Sequence, residues 1–250
     1  MARSTPLSVG SKKPPKVACS ECSLGKVCVP AGLNREDLAQ FEQIVHKSRP
    51  LHSGDHVFRQ GDPFVSVAAV RSGCFKSYII DEDGTERVLG FHLPGELLGL
   101  DAIYPRNHVC DVVALDTSGV CSLPYDDVTK LSSKLPDLQS QLFRTMSQRI
   151  GDLNTIAGDY TADERLAAFL LTLSLRFQAR GYSPNAFNLA MSRSDIANYL
   201  RLATETVSRV LARFQKKGLI HVKRKLVEIV DHDGLHGVAG SAFCDPANRA

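Results

Sequence analysis

Hydrophobic and polar residues follow two different periods along the chain, and the change falls near Tyr125. Between residues 51 and 124, short apolar runs are separated about every ten residues by turn-forming Gly, Ser, Asp and Pro. The runs VAAVR, FKSYII and RVLGFHL are typical of short strands. Regularly spaced strands with Gly-rich turns predict an antiparallel β-roll of the jelly-roll kind.

Helical periodicity flanks the predicted roll on both sides. Upstream, apolar residues at helical spacing behind Asn34 predict a short helix with Asn34 as its N-cap. Downstream, apolar residues recur every three or four positions around Pro136, a favoured first helical residue. The positions are Leu135, Leu138, Leu142, Met146, Ile150, Leu153 and Ala157. This stripe fits packing on the chain's own roll or a parallel two-helix seam, and we favour the seam.

A helix-turn-helix is predicted over residues 192–218. Ser192 with Asp195 resembles a capping box that opens the first helix. Thr204 is the N-cap candidate of the second helix, and Gly218 is a natural stop. The buried stripe of the second helix is Val207, Val210, Leu211 and Phe214. Apolar runs on either side of Lys-Arg-Lys in LIHVKRKLVEIVD then predict a small hairpin.

Charge is concentrated in this same segment. The chain has 250 residues, is 43% hydrophobic and carries a net charge of +3, which suits an ordinary globular protein of two domains. Residues 192–225 hold nine basic and two acidic side chains, so the rest of the chain is negative. A concentrated positive segment indicates a polyanionic partner, with nucleic acid as the first candidate. No apolar run is long enough to span a membrane and no signal peptide precedes the fold, which predicts a cytoplasmic protein without a membrane partner.

The outward stripe of the second helix carries the predicted base contacts, Glu205, Ser208 and Arg209. Arginine can donate two hydrogen bonds to guanine, glutamate can accept one from cytosine, and serine adapts to either role. The N-terminal end of a recognition helix is where base edges are met. The other predicted DNA contacts are Thr204 and, toward the phosphates, Arg193, Arg213, Lys216 and Lys217. The alternative is a solvated charged helix face.

Seven cysteines suggest metal ligands or buried small apolar side chains rather than disulfides, because cytoplasmic thiols stay reduced. Cys19, Cys22 and Cys28 fall within the ten residues CSECSLGKVC. Three thiols are one short of a four-ligand site. A structural zinc site is an open alternative, since Cys-x2-Cys is common in zinc proteins. An enzyme is not expected, because the sequence holds no Gly-rich phosphate loop, nucleophile elbow or His-Glu zinc helix.

Together these motifs resemble the superfamily of cyclic-AMP receptor and fumarate-nitrate reduction (FNR) regulators, and the FNR branch fits best. The resemblance extends from about Cys19 to Val230 and is strongest in CSECSLGKVC, SGVCSLP, DERLAAFLLTLS and ETVSRVLARFQKKGLI. It implies an α+β protein with an antiparallel β-roll sensor domain, a long dimerisation helix and a C-terminal winged helix-turn-helix. The implied boundaries are a tail at 1–18, a cluster-binding segment at 19–30, the roll at 31–125, the dimerisation helix at 126–158, the DNA-binding domain at 159–232 and a tail at 233–250.

The resemblance also implies a cofactor, one 4Fe-4S cluster per monomer held by Cys19, Cys22, Cys28 and Cys121. Cys110 is the rival for the fourth position, but its context RNHVCDVV does not match the family motif. The implied protein is an oxygen-responsive transcription regulator that binds palindromic TTGAT-type DNA as a homodimer without oxygen. Arg209 would read the guanine, Glu205 the complementary cytosine and Ser208 a thymine. Oxygen would convert the cluster to a 2Fe-2S form, weaken the dimer and release the DNA.

Three further expectations come from the resemblance. Nucleotide-binding members carry an Arg-Ser pair after a Gly-Glu turn, whereas here Gly95 and Glu96 are followed only by Arg106 without an adjacent serine, so control by a cyclic nucleotide is the weaker alternative. The turn DEDGTER occupies the place where relatives contact RNA polymerase, although Thr85 departs from an acidic residue found in some of them. Arg149 and Asp152 lie near the predicted seam, where a charge would hold the dimer near its threshold.

Overall fold

The computed structural model of the protein describes residues 18–156 and 159–243, except for the side chains of residues 148, 149 and 151–156. Two units are distinguished, and the division falls between Met146 and Ser147. The helices are α1 (Arg35–Gln43), α2 (Tyr125–Ser132), α3 (Pro136–Ile156), α4 (Ala162–Ala179), α5 (Arg193–Leu200), α6 (Thr204–Lys216) and α7 (His232–Ala239). The strands are β1 (His46–Lys47), β2 (His56–Phe58), β3 (Ser66–Ser72), β4 (Phe75–Ile80), β5 (Glu86–His92), β6 (Leu97–Leu98), β7 (Asp111–Ala114), β8 (Gly119–Pro124), β9 (Ala186–Asn188), β10 (Ile220–Lys223) and β11 (Leu226–Ile229).

The predicted β-roll is confirmed in the first unit. Two four-stranded antiparallel sheets have the strand orders β1-β8-β3-β6 and β2-β7-β4-β5. The three runs singled out in the sequence form β3, β4 and β5. Inward-facing apolar residues of both sheets, among them Val70, Phe75 and Val112, form one buried cluster inside the roll.

The N-terminal cysteine segment lies against this roll. It begins with a single 3-10 turn at Cys19–Glu21. Val29 is buried with Phe41 of α1 and Leu123 of β8. Gly95 approaches the segment so closely that an added Cβ would lie 2.9 Å from Cγ2 of Val27. Gly95 also has a φ of +92°, a conformation that favours glycine, so the sequence at this turn suits close contact with the segment.

The long helix predicted to start at Pro136 is confirmed as α3 (Pro136–Ile156). A separate helix, α2, ends at Ser132, so the implied range 126–158 contains two helices and not one. Proline cannot continue a preceding helix, because it lacks the N–H and its ring clashes with the backbone before it. The same residue that favours a helix start therefore forces the break.

The apolar stripe of α3 is divided between two environments. Leu135 and Leu138 are buried in the core of the first unit, which is the intramolecular packing that the sequence left open. Phe143 and Ile150 are instead 62% and 63% exposed. The side chains of Arg149, Asp152 and Leu153 and all of Ala157 lie outside the described residues.

The second unit contains the predicted winged helix-turn-helix. Ser192 and Asp195 form the capping box of α5 as predicted. Thr204 is not the N-cap of α6: that position is Ala203, and Thr204 is the first helical residue. The predicted hairpin is β10 and β11, in which Ile220 pairs with Ile229. A third strand, β9, pairs with β11 and was not predicted.

The segment after residue 232 is helical where a tail was predicted. α7 has Asp231 as its N-cap, whose carboxylate accepts a hydrogen bond from the Gly234 amide. Leu235 and Ala239 are fully buried, and α7 packs against α4. The tail prediction is therefore wrong for residues 233–239, because burial outweighs the low helix propensity of two glycines. Residues 244–250, with Cys244, lie outside the described part.

Candidate metal centre and nucleic-acid interface

Four cysteines predicted as ligands line one pocket in the first unit. Cys19, Cys22 and Cys28 come from the N-terminal segment, and Cys121 comes from β8. Apolar side chains complete much of the wall, including Leu24, Phe41, Val45 and Leu123. The pocket thus brings together thiols that are up to 102 positions apart in the sequence.

Local backbone turns present the three N-terminal thiols. The amide of Cys22 donates to the carbonyl of Cys19 at 3.1 Å, and the amide of Cys28 donates to the carbonyl of Leu24 at 2.9 Å. The amide of Ser20 donates to the carboxylate of Glu42 on α1 at 2.7 Å. On the roll side, Cys121 is fixed by antiparallel pairing with Ala69 of β3. The four thiols are therefore presented by one loop with turns of its own and one paired strand.

Burial makes the thiols of Cys19 and Cys28 poor acids. It raises the pKa of Cys19 to about 12, and the charges of Cys28, Cys121, Glu42 and Cys22 add to the rise. Burial likewise raises the pKa of Cys28 to about 12, opposed by a hydrogen bond from the backbone of Val29. At neutral pH these thiols carry their protons, so binding a cation requires proton release.

Cys110, the rival ligand, lies elsewhere. It is buried in the cluster inside the roll with Val112 and Phe75. Its Sγ donates to a carboxylate oxygen of Asp101 at 3.4 Å. Burial, and next the charge of Asp101, raise the pKa of this thiol as well. Cys110 is not among the residues that line the four-cysteine pocket.

The four thiols suit an iron-sulfur cluster, and the buried Nε of Arg71 in the same pocket agrees with this assignment. Four thiolates are the usual ligands of iron-sulfur clusters. Among the described residues no group of three or more His, Cys, Asp or Glu side chains is placed to hold a metal ion, so the four thiols share a pocket without converging on one point. Arg71, which also lines the pocket, has a buried Nε without a hydrogen-bond partner among the described residues. Such a donor is satisfied by an acceptor placed in the pocket.

The recognition stripe, which we define as Glu205, Ser208, Arg209 and Ala212, faces outward on α6. Three of its members are exposed, and Ser208 is half-buried. The opposite stripe is buried as predicted, with Val207, Val210, Leu211 and Phe214 all in the core. Thr204 and Lys216 are exposed at the two ends of the helix.

Several of the arginines predicted to contact DNA form hydrogen bonds or ion pairs with neighbouring side chains. Arg193 of α5 donates to the hydroxyl of Ser208 at 3.4 Å, which joins the two helices. Arg209 donates to the hydroxyl of Thr206 at 3.2 Å. Arg213 forms an ion pair and hydrogen bond with Asp163 of α4. DNA contact by Arg213 would therefore compete with that carboxylate.

Sequence reasoning missed the partners that hold this surface in place. Thr206, one turn before Arg209, and Asp163, fifty positions before Arg213, were not singled out. Gln215 was missed too, although its side-chain oxygen accepts from the amide of Val222 in β10 at 3.0 Å and so ties the recognition helix to the hairpin. The spacing of Thr206 to Arg209 could have indicated the first contact, but the others depend on tertiary structure.

Two surface features bear on the remaining expectations. In the DEDGTER turn, between β4 and β5, Arg87 pairs with Asp81 at 2.6 Å and the amide of Thr85 donates to Asp83 at 2.9 Å. Arg106 lies over the ring of Tyr125, with 4.9 Å from its guanidinium carbon to the ring centroid.

Among the described residues, no helix combines the length and apolarity that spanning a membrane requires.

Comparison with known proteins gives matches over most of the chain. Residues 164–238 match the Crp-like helix-turn-helix domain, and residues 48–134 match the cyclic nucleotide-binding domain. The chain is 47% identical to the transcriptional activator protein anr of Pseudomonas aeruginosa, over 90% of this chain and 94% of that protein. It is 44% identical to the fumarate and nitrate reduction regulatory protein of Escherichia coli, over 90% of this chain and 91% of that one. The structure of FixK2 from Bradyrhizobium japonicum shares the fold, with a TM-score of 0.71, 24% identity and coverage of 79% and 98%.

Proposed function

The chain belongs to the family of fumarate and nitrate reduction regulators, and we propose that it controls transcription in response to oxygen. Members of this family are transcription regulators and not enzymes. In this proposal Cys19, Cys22, Cys28 and Cys121 hold one 4Fe-4S cluster per monomer. With the cluster held by these cysteines, the chain would pair as a homodimer and bind a palindromic TTGAT-type site. Loss of the cluster in oxygen would weaken the dimer and release the DNA.

The single observation that carries the proposal is the shared pocket of the four cysteines. Three of its thiols come from a loop with turns of its own and the fourth from a strand 93 positions beyond Cys28. A ligand set of this kind fastens the loop to the roll only while all four positions are occupied. When bound, the cluster supplies the oxygen-sensitive chemistry, and the residues around it supply position and exclude water.

A continuous apolar core leads from this pocket to the helix proposed for dimerisation. Cys19, Cys28 and Cys121 pack against the buried cluster that contains Val29, Phe41, Leu135 and Leu138. Leu135 immediately precedes α3, and Leu138 lies in its first turn. Loss of the loop's anchorage would loosen the packing at this point. The exposed Phe143 and Ile150 on α3 support a second copy of the chain as the partner of this helix.

DNA binding would use the exposed recognition stripe and the basic side chains around it. We assign Arg209 to the guanine of TTGAT, Glu205 to the complementary cytosine and Ser208 to a thymine. Arg193, Thr204, Arg213 and Lys216 would contact the DNA beside them, mostly at phosphates. Two such helices on a two-fold axis read half-sites about one helical turn apart. The protein would act in the cytoplasm and contact RNA polymerase through the DEDGTER turn.

The two alternatives have less support. A cyclic-nucleotide effector needs a guanidinium for its phosphate, and Arg106, the arginine that follows Gly95 and Glu96, lies over Tyr125. A structural zinc site remains the competitor for the same thiols, and measurement of bound metal separates it from the cluster.

Exchange of single cysteines tests the ligand assignment with a matched control. We expect Cys121→Ser, purified without oxygen, to lose the visible absorption of the cluster together with most iron and sulfide. Cys110→Ser, which alters a buried thiol outside the pocket, is expected to keep both. Cluster retention by Cys121→Ser, or stoichiometric zinc in place of iron and sulfide in the unaltered protein, would overturn the proposal.

A further inference from the structure

Arg71 occupies an irregular position in the strand that faces the cysteine loop. Regular pairing of β3 with β8 runs to Val70 opposite Val120, then shifts so that Ser72 is opposite Gly119. Arg71 is the extra residue at this shift. A bulge of this kind re-aims the side chain of the extra residue, and such bulges are frequent next to functional sites.

The neighbouring strand leaves room for the guanidinium. A Cβ at Gly119 would lie 2.9 Å from Nη2 of Arg71 and 3.4 Å from its Nε. Gly119 does not have a positive φ, so backbone conformation does not require glycine there. The side-chain ends of Arg71 and Ser72, whose Oγ would lie 3.2 Å away, thus occupy the space that a Cβ at position 119 would take.

The Arg71 side chain contributes to the wall of the four-cysteine pocket. Arg71 lines the pocket together with all four cysteines. Its Nε is buried and has no hydrogen-bond partner in the described part of the chain. Its positive charge reaches Cys121, where it opposes the rise in pKa that burial causes. A buried donor without an acceptor is costly unless a ligand supplies one.

We propose that Arg71 is a tuning residue of the cluster, which donates an N–H to a cluster or cysteine sulfur and offsets the negative charge of the four thiolates. The inference rests on the proposed function, since it requires the cluster in this pocket. Hydrogen bonds to sulfur and net charge are two of the factors that set the reduction potential of an iron-sulfur cluster. A cation beside the site stabilises the more negative, reduced state. Arg71 therefore raises the potential and slows oxidation in air.

Four variants separate this role from simple packing. Arg71→Met keeps most of the side-chain volume without charge or donor, and Arg71→Lys keeps the charge without the planar fork. Gly119→Ala leaves Arg71 in place but pushes its guanidinium away. Arg49→Met removes an exposed arginine of the same unit and serves as the control. The readouts are the midpoint potential of the cluster and the rate at which its visible absorption is lost in air.

We expect Arg71→Met to lower the midpoint potential and to lose the cluster about tenfold faster than the unaltered protein. Gly119→Ala should shift both readouts in the same direction, Arg71→Lys should lie between, and Arg49→Met should not change them. Equal potentials and rates for Arg71→Met, Gly119→Ala and the unaltered protein would overturn the role of Arg71 while leaving the cluster in place. Absence of iron and sulfide from the unaltered protein purified without oxygen would instead overturn the proposed function itself.

Discussion

In the proposed function, recognition of a base depends on Arg209. The guanidinium of this residue is exposed on α6 and donates a hydrogen bond to the hydroxyl of Thr206 at 3.2 Å. This contact orients the planar fork before DNA is met, which reduces the freedom lost on binding. The hydroxyl of Ser208 likewise accepts a hydrogen bond from Arg193.

Arg209→Ala tests base reading. We expect it to remove the preference for guanine in TTGAT, a loss of about 1–3 kcal/mol in discrimination, because the bidentate donor is gone. The measurement is the affinity for the palindrome and for a palindrome with that guanine replaced. Lys216→Ala is the control, since loss of a phosphate contact weakens both sites equally. Unchanged discrimination by Arg209→Ala would contradict the assignment.

Individual residues differ in how far the sequence predicts them. The buried and exposed stripes of α6 follow from helical spacing alone, since the pattern is one-sided. The fourth proposed ligand could not be derived from spacing alone, because Cys110 and Cys121 were separated only by the family motif around them, and the structure places Cys121 but not Cys110 in the pocket. Arg71 could not be found at all, since a bulge between two strands depends on their register.

Gly95 shows how one turn of the roll positions the cysteine loop. Its positive φ alone would make a side chain costly, and its contact with Val27 adds a second cost. Gly84, in the turn between β4 and β5, has a similar φ of +82° but nothing within 4 Å of an added Cβ. The two glycines therefore form a matched pair.

We expect Gly84→Ala to lower the free energy of unfolding by roughly 1 kcal/mol, the cost of the left-handed conformation. Gly95→Ala should cost about 1–3 kcal/mol more, because the added Cβ overpacks against Val27. Denaturant unfolding of the metal-free, reduced protein measures both values. Equal costs for the two variants would show that the loop does not press on Gly95.

A charge placed on the apolar stripe of α3 tests whether the exposed part of this helix forms the dimer interface. Ile150→Glu should make the protein monomeric without oxygen and weaken binding to the palindrome about a hundredfold, because two separate monomers lose the gain from linkage. Sedimentation and DNA titration measure the two effects. Gln141→Glu adds the same charge on the opposite side of the helix and should leave both unchanged. A dimeric Ile150→Glu protein would argue against the seam.

Elements were predictable where the local pattern and the tertiary environment agree. The strands of the roll, the Asn34 cap and the Ser192 capping box all follow from short-range signals. The start of α3 at Pro136 was predictable because proline is favoured at the first helical position, whereas the separate helix α2 before it was not singled out. β9 and α7 were missed because β9 is short and α7 contains two glycines, so that only packing on β11 and α4 fixes them.

The two proposed functions of the whole molecule, cluster binding and DNA binding, are assigned to different units of the chain. The first unit holds the four-cysteine pocket and the start of α3, and the second holds the recognition helix. The composition reflects this division, since the positive charge is concentrated in residues 192–225 and the thiols lie mainly before residue 122. The division between the two units falls within α3 (Pro136–Ile156).

We propose that one cluster held by the four cysteines determines whether DNA is bound. The decisive measurement follows one sample, purified without oxygen, for iron, sulfide, molecular mass and affinity for a TTGAT palindrome before and after exposure to air. We expect about four irons with sulfide per chain and a DNA-binding dimer at first. Exposure to air should then remove cluster, dimer and DNA affinity together. DNA binding that survives in air, with zinc in place of iron and sulfide, would contradict it.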